Sequence, residues 1–335
     1  MLVTGGASFI GSHLAEALVG RGALVRIADD LSSGRLSNLS KIMDRVDFRQ
    51  TNLKKWDEAS MASEGCQVVF HLAADHGGRG YIQSHPASCA TNMALDNIVF
   101  ETAVANGVSH ITFASSACVY PTEIQQEKCL LQEEMVSFER RGGAFADEEY
   151  GWAKLMGELS LRAFHKQYGL RTASVRISTA YGPRENETHA VIALIAKALL
   201  QQEPFEIWGD GAQTRGFTYV DDIVEALILA CENIDDGTAV NAGSDQFVAL
   251  DELAERIFKL TNWRPSKLSH LLDKPIGVRH RALDGTRALE MLGWRPQVSL
   301  TEGLQKTVDS YAADLELNDL AHTISEGLMM RRPRA

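Results

Sequence analysis

TGGASFIGSHL, residues 4–14, follows the apolar start MLV and opens a run with helical spacing. A strand that turns through glycines into a helix gathers backbone amides at one point. Gly5 and Gly11 frame the turn, with Ser8, Phe9 and Ile10 between them. Without side chains, the glycines let the backbone approach a pyrophosphate seated on the helix N-terminal amides. The next apolar run ends in an acid, Asp29 of ADDLSSG. A carboxylate there accepts both ribose hydroxyls of NAD and repels the 2'-phosphate of NADP. Ser8 stands where a middle glycine is expected, which leaves two readings: its hydroxyl bonds a phosphate, or the loop is displaced. A turn kept only for helix–strand packing is the plainer alternative. The strand–turn–helix context and the acid together favour dinucleotide binding.

Outward from the turn, short apolar runs alternate with longer amphipathic ones. LVTGG, ALVRIAD, VDFRQTN, VVFHLAA, HITFASSACVY and RTASVRIS read as strands. SHLAEALVGRG and NMALDNIVFETAVANG have helical spacing and closing glycines. A long helix is expected over about residues 150–168, closed by Gly169. This alternation predicts an α/β fold: a Rossmann-type doubly wound parallel sheet with a smaller C-terminal α/β substrate domain. The expected division is a dinucleotide-binding domain over residues 1–180, with a return segment at about 213–245. Residues 181–335 would mainly form the substrate domain. The tail from about Val248 reads as two helical stretches with a loop-rich middle, and residues 123–149 as a polar connection long enough to be functional.

Composition narrows the function. The chain has 335 residues, 45% of them hydrophobic, and a formal net charge of -11. That balance argues against non-specific nucleic-acid binding, although a local arginine cluster can still bind phosphate. The terminal RRPR is basic but short. Five irregularly spaced cysteines, without a C-x-x-C, fit a reduced compartment and no disulfide framework or zinc site. The ten histidines form no H-x-x-x-H pair, so no metal is expected. No apolar run is long enough to span a membrane and no leader is evident, so a cytoplasmic location is expected. The first strand begins so abruptly that a residue or two before it is expected to be missing.

Tyr150-Gly-Trp-Ala-Lys154 places a phenol and an ammonium four residues apart, on one face of a helix. The ammonium is expected to lower the phenol's pKa, giving a base for a hydroxyl proton as hydride leaves the same carbon. Y-x-x-x-K alone is common. Here it follows a serine-bearing strand end, Ser116 in FASSACVYP, where Cys118 stands two residues on. A strand-end cysteine is ordinarily a small buried hydrophobe.

TGGxxFIG, DxLSSG, HLAA at residues 71–74, the SS strand end and YxxxK together resemble the extended short-chain dehydrogenase/reductase family, over nearly the whole chain. LAADHGGRGYIQS (72–84), ASSACVYP, FEIWGDGAQTRGFTYVDD (205–222), VNAGSD and GVRHR (277–281) are most similar to its GDP-mannose 3,5-epimerase branch. The resemblance implies bound NAD, contacted by Gly5, Ser8, Phe9, Ile10, Gly11, Asp29, Leu72, Ala73, Ala74, Tyr150 and Lys154. It implies a nucleotide-diphosphate sugar as substrate and a homodimer. Oxidation at C4 would acidify the C3 and C5 protons. Cys118 would then act as acid or base at the ring, and His189 would stand in the place of the branch's lysine. A surface helix start is the plainer reading of His189. Arg215 and Arg279 match arginines that clasp the diphosphate, with Arg281 a weaker candidate. Gly78 would let backbone approach the sugar, and Arg79 would meet a carboxylate or phosphate. Thr179 and Asn52 also depart from the branch pattern, which leaves the sugar and the stereocentre open. The alternatives are a 4-epimerase, a dehydratase or decarboxylase on the same scaffold, or a non-catalytic NAD-binding regulator. The dehydratase lacks its Asp-Glu pair here, and the regulator would ordinarily lack the Tyr-Lys pair.

Overall fold

The computed structural model describes residues 1–136 and 145–313. Seven strands form the main sheet: β1 (Leu2–Thr4), β2 (Val25–Asp29), β3 (Val46–Gln50), β4 (Val68–His71), β5 (His110–Ser116), β6 (Arg171–Ile177) and β7 (Asp236–Ala242). Their spatial order is β7-β6-β5-β4-β1-β2-β3, and every pair is parallel. The strands are apolar runs rather than alternating ones because helices cover both faces. Val3, Ile27, Val69, Ile111, Phe113 and Val175 are fully buried. Helices α1 (Phe9–Gly20) and, late in the chain, Val220–Asn233 pack together on one face. Helices Trp56–Ser63, Asn92–Ala105 and Glu148–Tyr168 pack together on the other. This is the Rossmann-type doubly wound sheet.

The winding reverses between β1 and β4, and a crevice opens beyond the carboxyl ends of the strands at that point. The glycine turn after β1, the 72–78 loop after β4 and the Ser116 end of β5 all face it. The Tyr-Lys helix begins at Glu148 and ends at Gly169, which adopts the left-handed φ of 70° that a helix-ending glycine accommodates.

The smaller part is mixed. Phe205–Trp208 pairs in parallel with Leu268–Leu271. A second sheet runs Val248–Ala249, Thr214–Arg215, His280–Leu283, Leu130–Leu131. Its last strand comes from the polar 123–149 connection, of which residues 137–144 lie outside the described residues, as does the RRPR tail. Among the described residues the tail holds three helices, Leu250–Leu260, Thr286–Leu292 and Leu300–Ala313, where two were expected. The middle one has 7 residues, too few for a 3.6-residue period to repeat visibly. Among the described residues, no helix is long and apolar enough to cross a membrane.

Gly11 sets the approach of α1 to β1. A Cβ there would lie 2.2 Å from the Gly5 carbonyl oxygen and 2.8 Å from Gly6 Cα, backbone atoms that cannot rotate away. Gly11→Ala is therefore expected to destabilise the chain by about 1–3 kcal/mol. A thermal melt would show this as an earlier midpoint, and an unchanged midpoint contradicts the packing.

Candidate active site

The crevice is a cleft of about 640 Å³, running from the glycine turn past Tyr150 to the strands of the smaller part. At its dinucleotide end, Gly5 has a φ of 67°, and a Cβ on it would meet the Ala73 amide nitrogen at 2.9 Å. The amides of Leu72 and Ala73 both donate to the Thr4 hydroxyl, at 3.1 Å, so the end of β4 is bound against the turn. The first N–H groups of α1 have no acceptor within the helix, and Phe9, Ile10 and Gly11 line the cleft. Ser8 caps the helix in extended conformation, its hydroxyl 3.4 Å from that of Ser33. Asp29 Oδ2 accepts the Ala7 amide at 2.9 Å and Oδ1 the Leu31 amide at 2.8 Å. Each oxygen keeps a lone pair for a ribose hydroxyl. Burial pushes the carboxyl up, and the two amides pull it partly back. A cradle without Cβ atoms, a helix N-terminus and a fixed carboxylate fit a dinucleotide. Leu72 and Ala74 complete this wall.

Tyr150 and Lys154 reach the middle of the cleft from the helix Glu148–Tyr168. The helix can approach β5 because position 151 is glycine: a Cβ there would fall 2.2 Å from the Cys118 carbonyl oxygen. The same carbonyl accepts the Asp147 amide at 2.8 Å. Lys154 Nζ lies 5.9 Å from the centre of the Tyr150 ring and 4.6 Å from that of Phe113. The expected lowering of the phenol's pKa is not what the protein side chains produce. Burial pushes Tyr150 well up, the nearby Cys118 adds to this, and a hydrogen bond from Ser116 opposes it. Burial also lowers Lys154, against the attraction of Asp96. Asp96 is fully buried beneath the pair and accepts from His71 Nε2 at 3.0 Å. His71 Nδ1 lies 2.7 Å from the Thr4 hydroxyl, whose lone pairs already take two amides. Thr4 therefore donates to Nδ1, which leaves the His71 proton on Nε2, facing Asp96.

Cys118 sits in the turn Ala117–Val119 that ends β5, buried at the cleft wall. The Ser116 hydroxyl accepts the Cys118 amide at 3.1 Å. Arg281 Nη1 donates to the Cys118 sulfur at 3.2 Å, Nη2 to Asp147 Oδ2 at 2.8 Å, and Nε to Gln125 Oε1 at 2.7 Å. Asp147 Oδ1 accepts Arg79 Nη1 at 2.9 Å. One carboxylate thus joins two guanidiniums, which hold it below its ordinary pKa despite burial. Arg215 lies beside them and donates to the carbonyls of Thr214, Ile276 and Val278 at 2.7–2.9 Å. Of the five N–H groups of a guanidinium, two remain for a ligand. Gly78 lies against Thr188, where a Cβ would fall 1.7 Å from the carbonyl oxygen. His189 caps the helix Ala190–Leu199 and lines the cleft, its ring centre 6.1 Å from that of His76, which is 6.4 Å from that of Tyr150.

The structure thus gathers Tyr150, Lys154, Ser116, Cys118, His189, Gly78, Arg79 and Arg215 around one cleft. Arg279 stands apart. It pairs with Asp210, both contacts at 2.8 Å, and lies outside the cleft wall, where Arg281, two residues on, takes the inner place. On a strand, residues i and i+1 face opposite ways, whereas i and i+2 face the same way. Here the chain straightens into a strand only at His280, so that alternation does not run through Arg279. Asp147, Gln125, Asp96 and Glu185 were not read from sequence. Asp147 carried one usable signal, an acid just before a predicted helix.

Residues 1–243 match the NAD dependent epimerase/dehydratase family. The chain is 34% identical over 310 residues to GDP-mannose 3,5-epimerase 1 of Oryza sativa subsp. japonica, covering 91% of this chain and 79% of that protein. It is 31% identical to UDP-glucose 4-epimerase of Mycolicibacterium smegmatis, covering 92% and 97%. Among solved structures, UDP-glucose 4-epimerase of Thermotoga maritima with UDP-glucose superposes with a TM-score of 0.82 at 30% identity, covering 94% of this chain and 99% of that one.

Arg281→Ala would leave Asp147 buried with one guanidinium fewer, an expected loss of about 3–5 kcal/mol near neutral pH. Asp147 titrates lower in the folded chain than unfolded, so its contribution is complete above the ordinary carboxylate pKa. It is lost as pH falls through the lowered value. Urea unfolding of both proteins should show the difference largest above about pH 5 and narrowing below about pH 4. A difference independent of pH contradicts the bridge.

Proposed function

The chain belongs to the NAD dependent epimerase/dehydratase family, with NAD as its cofactor, and on that premise we propose a nucleotide-sugar epimerase that inverts C3, C5 or both through a 4-keto sugar. GDP-mannose is the first substrate to test. The observation that carries this reading is Cys118. Its sulfur lies at the wall of the cleft that holds Tyr150, and a guanidinium N–H from Arg281 is aimed at it. A simple inversion at C4 needs no thiol.

The glycine turn, Asp29 and Lys154 would hold NAD, which would supply a hydride acceptor for C4 in a reaction that is redox-neutral overall. Tyr150 takes the proton of the C4 hydroxyl, and Ser116 donates to the same oxygen. Burial holds the phenol protonated, so Tyr150 becomes a base only with positive charge beside it, which the Lys154 ammonium supplies and bound NAD would add to. With a carbonyl at C4, loss of a proton from C3 or C5 gives an enolate. Cys118 and His189 serve as the proton-transferring groups at those carbons. The free N–H groups of Arg215 suit the diphosphate, against the chain's overall negative charge.

A second reading, a 4-epimerase, is favoured by the similarity to the two UDP-glucose 4-epimerases. One experiment separates them. GDP-mannose and a panel of UDP-sugars are incubated in deuterated water and followed by NMR. Deuterium at C3 or C5, lost at least about 100-fold in Cys118→Ala, is the expected outcome. Inversion at C4 without solvent deuterium, undiminished in Cys118→Ala, establishes the 4-epimerase and returns Cys118 to a packing role.

A further inference from the structure

The turn that leads into His189 carries a carboxyl group that the mechanism above does not use. Glu185 lines the cleft, and its side chain is 4% exposed. Its Oε1 lies 3.4 Å from His189 Nδ1. Its Oε2 makes no hydrogen bond among the described residues. Leaving a buried carboxyl oxygen unpartnered is costly, so a fold that keeps one at a cleft wall calls for an explanation.

The neighbouring cation is turned away from it. Arg184 adopts a φ of 70°, a left-handed conformation that a non-glycine side chain rarely takes. Its guanidinium is bound to Glu16 at 2.6 Å and to the Ser12 hydroxyl at 3.2 Å, on α1. Both residues line the cleft, but the guanidinium of Arg184 is taken up by Glu16 and Ser12 of α1 rather than by Glu185. Among the described residues no arginine or lysine pairs with Glu185. Burial alone then pushes its carboxyl well above the usual carboxylate range, which favours the protonated form. The groups facing it and His189 are His76, from the loop after β4, and, beyond His76, Tyr150. Among the described residues, no carboxylate or thiol on the Cys118 side has this arrangement: there the guanidiniums of Arg281 and Arg79 flank Asp147.

We propose that Glu185 is the positioning residue of His189: its carboxyl shares a proton with Nδ1, so that Nε2 is the nitrogen presented to the sugar ring. This rests on the keto–enolate reading above. In the step that completes an inversion, the His189 Nε2–H bond breaks and a C–H bond forms at the enolate carbon. The Glu185 O–H proton passes to Nδ1, leaving a carboxylate and a neutral imidazole. On the opposite face Cys118 has taken up the proton the carbon lost. The Nδ1 proton then returns to Glu185, water supplies a new proton to Nε2 and removes one from Cys118, so the cycle closes with no net proton change and solvent hydrogen enters the sugar. The two faces divide the work: the arginine-flanked sulfur, as thiolate, accepts, and the buried acid behind the imidazole supplies.

The test uses the full chain with NAD and whichever nucleotide sugar exchanges in deuterated water, GDP-mannose first. Two signals are read: deuterium entering at C3 or C5, and the reduced-nicotinamide absorbance that reports oxidation at C4. Glu185→Gln keeps the shape and removes the transferable proton. Its exchange is expected to fall by about 10- to 100-fold, with the absorbance signal within about twofold of the wild type. In a His189→Gln background the Glu185→Gln change is expected to have no further effect on exchange. Unchanged exchange in Glu185→Gln overturns the proposal. So does an equal loss of both signals, which marks a structural role, or a further additive loss in the His189→Gln background. If the wild type exchanges with no sugar but inverts C4, the keto–enolate reading itself fails and takes this proposal with it.

Discussion

The site depends on one close approach. The Cys118 carbonyl accepts the Asp147 amide at 2.8 Å and occupies the space a side chain at Gly151 would need. That contact seats the start of the Tyr-Lys helix against the end of β5. It brings Tyr150 and Lys154 to the same wall as Ser116 and Cys118. It also delivers the Asp147 side chain to Arg79 and Arg281. A glycine inside a helix costs about 1 kcal/mol relative to alanine. Here that cost permits a backbone-to-backbone contact that no larger residue could make. The same device recurs at Gly11 and Gly78, each touching a carbonyl oxygen that a Cβ would overlap.

Around this junction the charges are sorted by side. The chain is acidic overall, yet Arg79, Arg215 and Arg281 converge on the Cys118 wall with Asp147 between two of them. Across the cleft, Glu185 is buried without a cation and stands behind His189. Below, Asp96 and His71 form a buried pair under Lys154. Burial raises both Asp147 and Glu185, and the partner beside each decides the direction of the result. Asp147 is lowered by its two arginines, whereas Glu185, lacking any, is raised.

Local sequence carried the parts of this arrangement that are local. The glycine turn, Asp29 and the alternation of strands and helices are legible because each feature and its consequence lie within one strand–turn–helix unit. Tyr150 and Lys154 are legible because helical spacing alone sets them on one face. The place of Arg281 is not legible locally because its partners are remote: 163 residues separate it from Cys118 and 134 from Asp147. Gln125 is remote from Arg281 for the same reason, and it lies in a connection that carries no periodic signal. Glu185 carries no local signal, because its sequence neighbour is an arginine and a charged pair in a turn reads as a solvated surface. Only the backbone at Arg184, with its positive φ, shows the two side chains parting. The direction of the Tyr150 shift was likewise hidden, since spacing shows which residues are neighbours but not how deeply they are buried.

The central claim is that the Gly151 contact sets the Tyr-Lys pair beside Cys118, facing His189 across the cleft, so that one sugar ring would meet all of them. A crystal structure with NAD and GDP-mannose, or the UDP-sugar that turns over best, tests it most directly. The expected result is a sugar whose C4 hydroxyl lies about 3 Å from the Tyr150 oxygen, with C3 or C5 between the Cys118 sulfur and the His189 imidazole. A ring bound with C4 at Tyr150 but with Cys118 and His189 both out of reach of C3 and C5 would contradict it.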